Sequence, residues 1–170
     1  MKVIKKHQNV NYQLQLLYEE KWPVLLSNLT SICKDPRRLI KPANPLLIKV
    51  NLQEYESSDF KVMVFGQETN GWNGKFNGKI ESALKNYDEF FNDPNWSYGK
   101  QFMNGLNLLE TLIKKRLKSK KKVSFVWNNI IKIGKCADKN CPPEYIKEVE
   151  LKYFNVIRDE ISILKPNLIV

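Results

Sequence analysis

The chain has 170 residues, 42% hydrophobic and 27% charged, with a formal net charge of +10. That length and balance describe one folded domain with a core of its own. Three scattered cysteines (Cys33, Cys136 and Cys141) exclude a disulfide framework, and His7 is too far in sequence from the Cys136/Cys141 pair to complete a metal site with it. Reduced thiols fit a cytoplasmic protein. Met1 to Gln8 has no apolar core, so it is not a secretory signal. No apolar run approaches the roughly 20 residues that span a bilayer. The excess of lysine favours polyanions, because neutralising phosphates releases counterions, although a solvated lysine-rich surface has the same composition.

In chain order, Asn9 to Leu29 carries Leu14, Leu17, Tyr18, Leu25 and Leu29 at near-helical spacing, and Pro23 should kink it or split it in two. Lys34 to Pro45 holds three prolines and reads as an extended loop, with Arg37 and Arg38 either solvated or contacting phosphate. Leu46 to Val50 fits a short flanking strand. Phe60 to Phe65 is a near-continuous apolar run closed by Gly66, as expected of a strand buried on both faces. A long loop, Gln67 to Gly78, precedes a helix over Lys79 to Phe91, which the turn signal Asn92-Asp93-Pro94 ends.

A second helix is predicted from Tyr98 to Lys118, with Phe102, Leu106, Leu109, Ile113 and Leu117 in one stripe and Met103 and Leu112 widening it. Its basic end complements the helix dipole. Val123 to Trp127 is a second core strand. A loop over Asn128 to Pro143 leads into a helix over Glu144 to Leu164, with Ile146, Val149, Tyr153, Ile157, Ile161 and Leu164 on one face. Asn167 to Val170 begins a third buried strand. Strands alternating with helical crossovers predict an α/β fold, a central parallel sheet with helices on both faces. The last three residues are apolar and come shortly after a helix, so the chain reads as C-terminally incomplete. The expected organisation is a single domain over 1–170, with a helical and loop arm over 1–45 and the α/β core over 46–170.

In open parallel sheets, ligands sit at the carboxyl ends of the strands. Two loops meet that condition, Gly66-Gln67-Glu68-Thr69-Asn70-Gly71-Trp72 and the one that opens with Asn128-Asn129. Gly66 allows close backbone approach. Glu68 is a candidate to orient or deprotonate water. Asn128 carries the donor and acceptor that reading a base edge requires. Trp72 or Phe76 are candidates to stack on a planar ligand, a contact worth about 1–3 kcal/mol per base. The competing reading makes the glycines and asparagines turn formers and the aromatics packing. No dinucleotide fingerprint, P-loop or Gly-x-Ser-x-Gly elbow is present.

FKVMVFGQETNGW resembles the first motif of the uracil-DNA glycosylase-like superfamily, and FVWNNIIKIG resembles its second, an apolar strand ending in a base-reading asparagine. The Gly-Gln-Glu-Thr-Asn-Gly-Trp loop is similar to that of an uncharacterised bacterial branch. The resemblance covers roughly Pro45 to Val170 and implies a three-layer sandwich. It also implies a DNA-repair hydrolase that flips a base and breaks its N-glycosidic bond without a cofactor. Carried over, Glu68 is catalytic, and Gly66, Gln67, Asn70, Trp72, Phe76 and Asn128 bind the base; no metal is implied. The implied partner of this monomer is damaged or single-stranded DNA, with no membrane role. Thr69 and Asn70 stand where the family has a Pro-Tyr pair, and a third, His-containing motif would lie beyond Val170. A non-catalytic module binding a nucleotide or a protein partner is the alternative.

Overall fold

A computed structural model describes residues 9–68, 73–91, 100–117, 121–136 and 140–170, with no side-chain description for 100–103. The expected turn at 92–94 therefore lies outside the described residues, as do the side chains of Phe102 and Met103.

The first helix, α1 (Val10–Lys34), starts where the Asn9 side chain accepts from the Tyr12 N–H. It buries Leu14, Tyr18, Trp22, Leu25 and Leu29. Pro23 does not split it. The ring lies on the exposed side, so the Glu19 carbonyl that loses its helical partner faces the solvent side. Meanwhile Trp22 and Leu25 anchor the helix on the other side.

The expected strand at Leu46–Val50 does not form. These residues are buried and extended, but their donors go elsewhere: Leu46 N–H to the Lys132 carbonyl, Ile48 N–H to Tyr18 Oη and Val50 N–H to Asn11 Oδ1. The segment is a strap laid along α1 rather than a member of the sheet. A short helix, α2 (Leu52–Ser57), capped by Asn51, follows it.

The sheet has three parallel strands in the order β2-β1-β3. Strand β1 (Phe60–Gly66) is central. It pairs with β2 (Val123–Asn129) from Phe60↔Val123 to Gly66↔Asn129, and with β3 (Leu168–Ile169) at Val62↔Leu168 and Met63↔Ile169. With neighbours on both edges, β1 buries Val62 and Met63 while its other residues are half-buried, so the expected burial on both faces holds only at the centre of the strand. Helices α3 (Ile80–Phe91) and α4 (Lys100–Leu117) fall between β1 and β2. The protein is thus α/β with a small open parallel sheet.

The predicted helix over Glu144 to Leu164 is two helices, α5 (Glu144–Tyr153) and α6 (Ile157–Leu164). At the break Phe154 adopts φ −138° and ψ 35°, and both Phe154 and Val156 are fully buried. In one straight helix, residues 150 and 160 would lie roughly 80° apart around the axis. The break re-phases the second half, so that Glu150 and Glu160 both reach the segment after β2.

Candidate functional site at the strand ends

Beyond the sheet, the two candidate loops remain paired. Ile130 N–H donates to the Gly66 carbonyl and Ile131 N–H to the Gln67 carbonyl, both at 2.9 Å. Gly66 is required here by crowding: a Cβ would overlap Cζ2 of Trp127 and stand 2.7 Å from Asn129 Oδ1. The close approach expected of Gly66 is therefore to the indole of the next strand.

Gln67 is exposed and its Nε2 donates to Cys141 Sγ at 3.3 Å. Glu68 is half-buried, with its Oε2 atom out of water and without a hydrogen-bond partner. Loss of water raises its pKa, and the nearby Lys135 ammonium partly opposes the rise. Asn70 and Trp72 lie outside the described residues. Phe76 is buried against Trp22, with ring centroids 6.2 Å apart, so packing occupies its ring.

Asn128 and Asn129 are both fully buried but differ in what they offer. Asn128 Nδ2 donates to Glu160 Oε2 at 2.9 Å, and Oδ1 accepts from Lys132 Nζ at 2.7 Å and from Asn129 N–H at 2.8 Å. Its second amide proton faces Met63 Sδ at 3.9 Å. In this arrangement Asn128 is saturated. Asn129 accepts from Trp127 Nε1 at 2.9 Å through Oδ1, which leaves Nδ2 buried and unpartnered. The indole N–H is donor-only, so flipping the amide would oppose two donors. Among the described residues, Glu68 Oε2 and Asn129 Nδ2 are the buried side-chain polar atoms without partners.

Strand alternation sends Trp127 and Asn128 to opposite faces. Around Trp127, α3 supplies Phe91, stacked at 6.1 Å, and Tyr87, whose hydroxyl donates to the Trp127 carbonyl at 3.0 Å. Around Asn128 lies a charged core. Lys132 Nζ donates to both oxygens of Glu160 at 2.6 and 2.8 Å, and Tyr18 donates to Glu160 Oε1 at 2.7 Å. Glu150 accepts the Lys132 and Ile133 backbone N–H groups at 2.8 Å. Burial lowers the Lys132 pKa against the pull of Glu160, and burial raises those of Tyr18 and Glu150.

The sequence reading missed Lys132, Glu150, Glu160 and the distinction between the two asparagines. A lysine inside the apolar run of Ile130, Ile131 and Ile133 was the available signal. Ending the strand at Trp127 rather than Asn129 hid the pleat that separates Asn128 from Asn129. Among the described residues, no cluster of His, Cys, Asp and Glu could hold a metal, and no helix is long and apolar enough to cross a membrane. Comparisons with protein-family models, curated proteins and solved structures return no match.

Proposed function

We propose that this chain is a uracil-DNA glycosylase-like protein that binds a nucleobase of damaged or single-stranded DNA at the carboxyl ends of β1 and β2. One observation carries the reading. An unpartnered buried acceptor, Glu68 Oε2, follows β1, and an unpartnered buried donor, Asn129 Nδ2, ends the register-paired β2. Native proteins rarely leave buried polar groups unpaired. The open donor suits a C=O on a base edge, and the open acceptor at the neighbouring strand end suits a water.

In this reading Asn129, rather than Asn128, supplies the amide. Glu68 takes a proton from water while the water oxygen bonds to the sugar's anomeric carbon, and the base leaves with the glycosidic electron pair. The three-layer sandwich belongs to the same proposal, and α3 at Trp127 and α6 at Asn128 support it. The net charge of +10 suits a phosphate backbone.

A second reading, a non-catalytic module for a free nucleotide or a protein partner, draws on the saturation of Asn128. Base release and fluorescence binding with oligonucleotides carrying a panel of damaged bases, beside thermal shift with mononucleotides, separate the two. Release that Glu68→Gln abolishes supports the enzyme. Stabilisation by a mononucleotide with no DNA affinity supports the module. DNA affinity indifferent to Asn129→Ala removes the base-binding reading.

A further inference from the structure

Asn129 can present a free Nδ2 only while the rest of the residue is held. Two contacts hold it: the Trp127 indole on Oδ1 at 2.9 Å, and Asn128 Oδ1 on its backbone N–H at 2.8 Å. Asn128 is held in turn by Glu160 and Lys132, at 2.9 and 2.7 Å. Glu160 also receives Lys132 Nζ and Tyr18 Oη. Tyr18, Asn128, Asn129, Lys132 and Glu160 are each 0% exposed.

Stability alone does not explain this arrangement. A lysine–glutamate pair removed from water is often no better than apolar residues of similar volume, because desolvation offsets the Coulombic attraction. What the ion pair does, and an apolar pair would not, is fix both ends of the Asn128 amide. Lysine is donor-only and the carboxylate an acceptor, so together they allow one amide orientation. That orientation turns Oδ1 toward the Asn129 N–H.

We infer that Lys132 and Glu160, with Tyr18 behind them, are positioning residues that aim Asn129 at the ligand through Asn128. The inference rests on the reading of Asn129 as a base-binding donor and names the residues that prepare it.

The Trp127 indole N–H reports the aim of Asn129 directly, without a ligand. Its resonance is identified among the chain's 4 tryptophans by Trp127→Phe. The double variant Lys132→Met/Glu160→Leu removes both charges of the pair together, so neither is left without the other, and Glu150 keeps its two backbone donors. The expected result is a folded protein whose Trp127 indole resonance moves toward its position in Asn129→Ala. Its affinity for a fluorescein-labelled single-stranded oligonucleotide with one deoxyuridine should fall about tenfold, with no further loss when Asn129→Ala is added.

An unmoved indole resonance in the folded double variant overturns the inference. So does an affinity loss that adds in full to that of Asn129→Ala. If the double variant does not fold, Tyr18→Phe removes one donor from Glu160 and poses the same question: a smaller shift in the same direction supports the inference, and no shift overturns it. If Asn129→Ala leaves oligonucleotide affinity unchanged, the base-binding reading falls, while the indole resonance still decides the positioning.

Discussion

Replacing Lys132 alone by methionine leaves the Glu160 carboxylate fully buried, with only the Tyr18 hydroxyl and Asn128 Nδ2 as donors. It also removes one of the two donors on Asn128 Oδ1. Breaking one side of a buried ion pair costs about 3–5 kcal/mol, because the remaining charge loses its counter-charge without regaining water. For a chain of this size each kcal/mol moves the melting temperature by about 2–4 °C, so a fall of roughly 6–20 °C is expected. Replacing the pair together, as Lys132→Met/Glu160→Leu, should recover much of that loss, since neither member of the pair is then left alone and Glu150 keeps its two backbone donors. Urea denaturation followed by far-UV circular dichroism measures both, with calorimetry as the check on melting temperature. A Lys132→Met cost below about 1 kcal/mol, or a double variant as unstable as the single one, refutes the reasoning.

Three further outcomes follow from the same structure. Gly66→Ala drives a methyl into the Trp127 indole and toward Asn129 Oδ1, and should cost about 1–3 kcal/mol in urea denaturation; an unchanged midpoint would refute the crowding. Pro23→Ala, on the exposed side of α1, restores a donor to the Glu19 carbonyl and should raise stability by up to about 3 kcal/mol, so a lower melting temperature counts against an unbroken helix. Desolvation raises the Glu68 pKa, and only the ionised carboxylate accepts a proton, so base release should rise with pH on a limb above the ordinary glutamate range. The sign for stability is opposite, since a carboxyl with a raised folded-state pKa contributes stability below its unfolded pKa and loses it as pH rises through the folded one. Removing the opposing charge with Lys135→Met should move the limb further up; a rate–pH limb at or below the ordinary range refutes the assignment.

Local pattern made most elements legible in the sequence. The apolar run of β1, the stripe of α1 and the alternation of strands and helices each reflect burial that repeats along the chain, and such periodicity is a property of the sequence itself. The loops after β1 and β2 were legible as a candidate site, because parallel strands carry their ligands at their carboxyl ends. Three matters were not legible. Leu46–Val50 has the composition of a strand, but Asn11, Tyr18 and the Lys132 carbonyl compete for its donors. The break at Phe154 has no glycine or proline to announce it; it follows from burying Phe154 and Val156 while turning two distant glutamates inward. The division of labour between Asn128 and Asn129 depends on the pleat and on Glu160, which lies 32 residues from Asn128 in the chain.

The sequence by itself determined where strands and helices recur and which loops can face a ligand. Only the tertiary structure decided which asparagine is saturated and which keeps an open donor, because hydrogen-bond saturation is set by partners far apart in the chain that folding brings together.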